Sequence, residues 1–156
     1  MYKIVRAQEL TTNIYLFEVE AKRAAKSCLP GQFVIVKTDE KGERIPLTIC
    51  DYNREEGTVT IVFQTVGAST KMMAEYEVGD SFRDFVGPLG CKSDLIDESQ
   101  EELKAKKMLF IAGGVGTAPV YPQVKWLKEH DFWHDGIIMY YNDKKVKPNG
   151  KEISII

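Results

Sequence analysis

Long apolar runs are missing from this chain of 156 residues. No stretch approaches the roughly 18–20 apolar residues that a membrane-spanning helix requires, and the N-terminus lacks a charged segment followed by an apolar one. A cytoplasmic protein without a membrane partner is the expectation. An excess of either charge is missing as well. Lys and Arg number 21 against 23 Asp and Glu, for a formal net charge of −2, so nucleic acid finds no broad basic surface here. The basic clusters Lys104-Ala105-Lys106-Lys107 and Lys144-Lys145 read as solubilising. Cysteine is scarce: Cys28, Cys50 and Cys91 are far apart, odd in number and without a C-x-x-C pair. That argues against a disulfide framework and against a cysteine-ligated metal within the chain. Internal repeats and low-complexity segments are also lacking.

What is present is an ordinary globular composition, 44% hydrophobic and 28% charged, at a length that suits one domain, or one domain plus part of another. Residues 1–90 read as short strands separated by turn signals, the pattern of a sandwich or barrel. Tyr2 to Glu9 and Asn13 to Glu20 alternate apolar and polar positions and suit a hairpin. Pro30-Gly31 marks a turn before a β-branched strand from Gln32 to Thr38. Strands are further expected over Glu43 to Asp51 and Thr58 to Gln64, with a sixth around Ser81 to Val86. Between the last two, Ser69 or Thr70 is a plausible N-cap for a short helix with Met72, Met73 and Tyr76 turned to the core.

Composition changes after Gly87-Pro88-Leu89-Gly90. Residues 91–107 read as a polar linker or surface helix. From Met108 the pattern becomes strand, glycine turn, helix, strand. Met108 to Ala112 is an apolar run of the kind buried in a parallel sheet. Gly113-Gly114-Val115-Gly116 forms the turn, Pro119 sits near the first helical position, and Val120, Val124 and Leu127 mark the buried stripe of the helix. Gly136 to Tyr141 is a second strand. Two parallel strands and one helix cannot cover both faces of a sheet, so residues 108–156 read as a fragment of an α/β domain. A glycine-rich turn between strand and helix is how such domains seat a nucleotide phosphate, although the third glycine of the dinucleotide fingerprint is replaced by Pro119.

The stretch with the most chemistry is Glu43-Arg44-Ile45-Pro46-Leu47-Thr48-Ile49-Cys50-Asp51. Pro46 removes an N–H from any ladder, which points to a strand that is at an edge or interrupted. Arg44 offers a planar fork of donors suited to a diphosphate, and the Thr48 hydroxyl can donate to or accept from a ring nitrogen. Downstream, a helix that follows Gly67 would present free backbone N–H groups.

In order along the chain stand Pro30-Gly31-Gln32-Phe33-Val34, Arg44-x-Pro46-Leu47-Thr48-Ile49, Val66-Gly67-x-x-Thr70, Gly87-Pro88-Leu89-Gly90 and Gly113-Gly114-Val115-Gly116-x-Ala118-Pro119. This set resembles the ferredoxin–NADP reductase-like flavoproteins. Within them it is most similar to electron-transfer subunits that work beside a larger partner: the ferredoxin–NADP reductase alpha subunit, also called sulfide dehydrogenase subunit, and the dihydroorotate dehydrogenase electron-transfer subunit. The resemblance implies a six-stranded antiparallel β-barrel that binds FAD, followed by an incomplete α/β domain for NAD(P)H. By position it implies that Arg44, Ile45, Pro46, Leu47 and Thr48 line the isoalloxazine and diphosphate, with Thr48 near the reactive nitrogen as the catalytic candidate. Val62, Phe63 and Gln64 would flank the ribityl and adenosine part, Gly67, Ser69 and Thr70 would hold the diphosphate, and Gly113, Gly114 and Gly116 would face the nicotinamide cofactor's phosphates.

The implied partner is a larger iron–sulfur or flavin oxidoreductase subunit; a homodimer that buries the open sheet is an alternative. Departures from the family pattern are specific. Ile45, not Arg44, stands three residues before Thr48, and Leu47 replaces a stacking tyrosine. The family's remaining α/β residues and its cysteine cluster for a [2Fe–2S] centre have no counterpart here, so the chain reads as C-terminally truncated. Two other readings are a non-catalytic barrel serving flavin binding or subunit assembly, and a small-ligand barrel unrelated to flavin.

Overall fold

Strand β1 (Tyr2–Thr11) turns back into β2 (Ile14–Glu20) through Asn13, whose φ of 65° suits a short polar side chain. This is a computed structural model that describes residues 1–132 and the backbone of 137–141 and 144–146. After the short helix α1 (Lys22–Ser27) come β3 (Phe33–Lys37), β4 (Ile45–Asn53), β5 (Thr58–Gln64), helix α2 (Ala68–Ala74), β6 (Ser81–Phe82) and β7 (Asp84–Leu89). They form one 7-stranded sheet in the order β6-β1-β2-β5-β4-β3-β7, with antiparallel neighbours.

The sheet nearly closes on itself. β6 and β7 are separated only by Arg83; β6 pairs with β1 at Tyr2↔Phe82, while β7 pairs with β3 from Phe33↔Leu89 to Lys37↔Asp84. At the break, the Arg83 N–H donates to the Lys37 carbonyl at 3.0 Å. The expected sixth strand is thus present but split, and its two halves join opposite edges into a barrel.

Alternation along the strands fills the interior. Phe17 and Val19 of β2, Val34 and Val36 of β3, Ile61 and Phe63 of β5 point inward and are fully buried with Ile4, Ile49 and Phe82. Phe17 meets Phe63 edge-on at 5.1 Å, the geometry that ring quadrupoles favour. Met73 joins this core as expected, whereas Met72 and Tyr76 are only half-buried.

A second apolar cluster lies outside the barrel wall. Leu16, Cys50 and Val62 face outward and are covered by Ala118 and Tyr121 of α4 (Thr117–Glu129). A third joins Leu103 of α3 (Gln100–Ala105) to Leu127 of α4 and to Phe132, so residues 91–107 carry a helix with a fully buried anchor. Ser99 caps α3 by accepting from the Glu102 N–H, while the Glu102 carboxylate returns to the Ser99 N–H at 2.9 Å.

Strands β8 (Met108–Ala112) and β9 (Ile137–Tyr141) run parallel, with β10 (Lys144–Val146) antiparallel to β9. The sequence reading buries Met108 to Ala112 throughout; the structure corrects this. Leu109 is 61% and Ile111 70% exposed, because α3 and α4 cover one face and no described residue covers the other. Pro119 occupies the third helical position, where its missing N–H still lies in the unpaired first turn. Val120 is only half-buried; Tyr121 and Pro122 share the buried surface of α4 with Val124 and Leu127. The end of the chain beyond Val146, and Gly136, lie outside the described residues.

Candidate functional site

β4 changes partners halfway. Ile45 to Thr48 pair only with β3, from Val36↔Ile45 to Phe33↔Thr48, and Ile49 to Asn53 pair with β5, from Ile49↔Ile61 to Asn53↔Thr58. On the other side, β5 continues past Ile61 paired with β2 alone, ending at Ile14↔Gln64. Two strand segments, 45–48 and 62–64, therefore face each other without a ladder between them. Pro46 is tolerated in a central strand because the edge it occupies carries no partner there. The expectation of an interrupted strand describes this geometry; an outright edge strand does not.

The segments that flank the parting are tied across it. Ser69 Oγ of α2 donates to the Glu43 carboxylate, which brings the first turn of α2 beside the residue preceding Arg44. Arg44 points outward, its side chain 59% exposed, with Nη2 at 3.4 Å from Asp84 Oδ2. At that length and exposure the pair holds the guanidinium weakly. Ile45 and Leu47 are half-buried against the barrel core, and Pro46 is exposed. Thr48 is half-buried, opposite Phe33.

Val62 and Phe63 have committed side chains: Val62 packs under α4, and Phe63 fills the barrel. Along 62–64, only backbone groups and the exposed Gln64 side chain are available to a ligand. The N-cap of α2 is Gly67, not Ser69 or Thr70. Thr70 stands at the third helical position, where Oγ1 accepts from the Gly67 N–H at 3.1 Å and the Val66 N–H at 3.0 Å. Among the described residues, chain neighbours apart, no atom lies within 4 Å of where a Cβ on Gly67 would project, so open space adjoins this backbone.

The glycine turn stands at the far end of the same parting. Gly114, with φ of +52°, lies against Ile14, whose Cδ1 is 3.9 Å from an ideal Cβ position on Gly114. Ile14 is the partner of Gln64, so the turn Gly113–Gly116 overlooks the end of β5. Gly116 also faces open space, and the Gly116 N–H closes the turn onto the Gly113 carbonyl at 3.0 Å. Next to it, Thr117 Oγ1 is buried without a hydrogen-bond partner among the described residues. Sequence reasoning missed Thr117; a hydroxyl at the start of a helix directly after a glycine turn was the available signal.

The relative position of turn and barrel is held by polar contact as well as packing. Lys125 Nζ of α4 reaches Asp51 Oδ1 of β4 at 2.6 Å. Below it, burial pushes the Cys50 thiol up to about 12, with the Asp51 charge adding to the effect. Burial also raises Tyr121, and pushes Cys28 up to about 11 against the opposing pull of Arg54. These thiols are packing groups rather than nucleophiles. Among the described residues there is no grouping of three or more His, Cys, Asp or Glu that could hold a metal, and no helix is long and apolar enough to cross a membrane.

The residues present suit a dinucleotide-type cofactor: strand segments 45–48 and 62–64 without a ladder between them, Gly67 and Gly116 with open space beside the backbone, a weakly held Arg44 guanidinium, and a glycine turn that packs on Ile14. No protein-family model matches the chain. It is 62% identical over 138 residues to an uncharacterized protein in the adh 3' region of Clostridium beijerinckii, a match covering 88% of this chain and 47% of that protein. It is 37% identical over 127 residues to a dihydroorotate dehydrogenase B (NAD(+)) electron transfer subunit homolog of Thermotoga maritima, covering 81% and 43%. Among solved structures, the NADH-dependent reduced ferredoxin-NADP oxidoreductase studied for flavin-based electron bifurcation superposes with a TM-score of 0.73 at 33% identity, covering 90% of this chain and 47% of that one. Phthalate dioxygenase reductase shares the fold, with a TM-score of 0.62 at 17% identity. The chain spans about half the length of the curated relatives it matches. With its barrel, its partial α/β unit and these relatives, the chain belongs to the ferredoxin–NADP reductase-like flavoprotein family, on the side of the dihydroorotate dehydrogenase electron-transfer subunits.

Proposed function

We propose that this chain supplies the FAD-holding barrel and the first part of the NAD(P)H-binding unit of an electron-transfer subunit that works beside a larger iron–sulfur or flavin oxidoreductase subunit. The observation that carries this reading is the parting of β4 from β5 between residues 45–48 and 62–64. FAD, when bound, would supply the chemistry: accepting a hydride from NAD(P)H and releasing electrons singly.

The protein's own residues bind and orient. Arg44, whose fork is exposed and weakly held, would meet the diphosphate from one side, and Ser69, Thr70 and the Gly67 backbone would hold it from the other. Ile45, Pro46 and Leu47, on a segment paired on one side only, would form the bed for a flat ring, with the Thr48 hydroxyl as the polar group offered to a ring nitrogen. The backbone of Val62, Phe63 and Gln64 lines the ribityl and adenosine side. Gly113, Gly114 and Gly116 would seat the phosphates of a nicotinamide cofactor against a turn without side chains. The Lys125–Asp51 contact holds that turn at a fixed distance from the barrel groove, which a hydride transfer between two bound cofactors requires.

A second reading is favoured by the open face of β8: a barrel that acts as an assembly module, with Leu109 and Ile111 covered by another chain. One preparation separates the two. Purified protein reconstituted with FAD and passed through a desalting column retains a yellow, one-to-one flavin under the first reading. A colourless protein that cannot be reconstituted, and that elutes as a dimer or larger species, supports the second.

A further inference from the structure

The groove carries a carboxylate in an unexpected position. Ser69 is expected to meet an anionic diphosphate, yet its hydroxyl already donates to Glu43, on the loop that enters β4. The neighbouring cation is held in the same manner, since Arg44 faces the carboxylate of Asp84. Ser69 and Arg44 are therefore both turned to a side-chain anion of the chain itself. The two contacts differ in reach. The Glu43–Ser69 bond joins segments 26 positions apart and crosses between the two walls, whereas the Arg44–Asp84 approach is long and exposed.

We propose that Glu43 is a specificity-determining residue: its carboxylate occupies the Ser69 hydroxyl as an internal surrogate for phosphate, and a flavin must displace it to seat its diphosphate. This rests on the reading that the groove is a flavin site. Displacement favours ligands that bring two phosphates and penalises those that bring none. A flavin without phosphate gains nothing from Ser69, while one with a diphosphate replaces the lost bond and also engages Arg44. Once displaced, the Glu43 charge still repels the incoming phosphate, through water and therefore only at short range. The surrogate thus keeps the two walls together in the absence of ligand at the expense of diphosphate affinity.

The test is a double-mutant cycle read by flavin fluorescence, using the full chain with FAD and with riboflavin. Glu43→Gln binds FAD roughly tenfold more tightly than wild type at low ionic strength, and the gain shrinks in about 1 M salt, where the screening length falls to about 3 Å. Riboflavin affinity is unchanged. In a Ser69→Ala background, the Glu43→Gln gain is largely lost, because the competition runs through that hydroxyl. Glu40→Gln, on the same loop but away from Ser69, is the charge control and leaves FAD affinity within about twofold. A Glu43→Gln gain that persists undiminished in Ser69→Ala, or is matched by Glu40→Gln, reduces Glu43 to a generic charge and overturns the inference. So does unchanged or weakened FAD binding. Wild type that binds FAD while Glu43→Gln is neutral leaves the flavin reading standing without this device; wild type and every variant failing to bind FAD removes both.

Discussion

Lys125 on α4 and Asp51 on β4 meet at 2.6 Å across the seam between the barrel and the α/β unit. Both side chains are less than a third exposed, and Asp51 Oδ1 also accepts the Tyr52 N–H at 2.8 Å. Lys125→Met removes the only cation on this carboxylate among the described residues while keeping an unbranched apolar side chain of similar length. The expected loss is about 1 kcal/mol, the scale of a part-exposed pair, or a few degrees in Tm for a chain of this size. Hydrogen exchange should rise in α4 before it rises in β2. Equal protection in variant and wild type would show that Leu16, Cys50, Val62 and Tyr121 hold the seam alone.

Arg54 links the β4–β5 turn to the C-terminal end of α1. Its guanidinium donates to the carbonyls of Ala25 at 3.1 Å and Cys28 at 2.9 Å, also reaches that of Lys26, and lies 4.7 Å from the Tyr52 ring centre. A single ammonium cannot reproduce a fork that spans these acceptors. Arg54→Lys is therefore expected to cost nearly as much as Arg54→Ala, about 1–3 kcal/mol by denaturant unfolding. A Lys variant with wild-type stability would show that charge, not geometry, matters there.

Alkaline pH tests the buried thiols. With folded values raised above the ordinary 9.0, to about 11 for Cys28 and about 12 for Cys50, the unfolded chain loses its thiol protons first. Stability from these groups is fully present below pH 9.0 and declines as pH rises toward those folded values. Each thiol contributes a slope of up to about 1.4 kcal/mol per pH unit in that window. Cys50→Ala lowers stability at neutral pH but flattens the decline above pH 9.0. An unaltered slope in the variant would assign the decline to other groups. In native protein at neutral pH, a thiol reagent should label exposed Cys91 and spare Cys28 and Cys50.

How far the sequence carried the fold can be judged from particular residues. Alternation placed Phe17 and Val19 on one face of β2, and the turn signals separated the strands, because a barrel wall buries one face and solvates the other. What periodicity could not show was that the outward face is also used: Leu16, Cys50 and Val62 look like ordinary strand residues until α4 lies on them. The split at Arg83 was likewise illegible, since a strand that serves two edges has no local signature. In the groove, Pro46 announced an interruption, but the division of β4 between β3 and β5 depends on long-range pairing. The burial expected of Leu109 and Ile111 failed because an apolar run reports what a strand can bury, not what the chain provides to cover it.

That open face yields its own expectation. Leu109→Lys with Ile111→Lys places two charges where no described residue packs, so Tm should stay within a degree or two of wild type. Self-association seen by light scattering should decrease, because an exposed apolar patch is removed. A large fall in Tm would mean that these side chains are buried in the protein as it exists in solution, against another part of the chain or a second copy.

Gly67 separates structure from binding most cleanly. Its φ of −138° is open to any residue, and a Cβ would meet no described residue beyond its chain neighbours within 4 Å, so folding does not demand glycine there. Gly67→Ala should cost no more than about 1 kcal/mol, the difference between a good and a poor N-cap. The open space has a different meaning if a diphosphate lies against that backbone: a methyl group then stands between the phosphate and the amide. Gly67→Ala is expected to fold normally and to lose FAD affinity by about tenfold or more, and Gly67→Val by more still. The same logic at Gly116, also open and with an ordinary φ of −64°, predicts weaker NAD(P)H binding without loss of flavin. Variants at Gly67 that keep full FAD affinity would place the diphosphate elsewhere and leave the parting of β4 from β5 without an occupant.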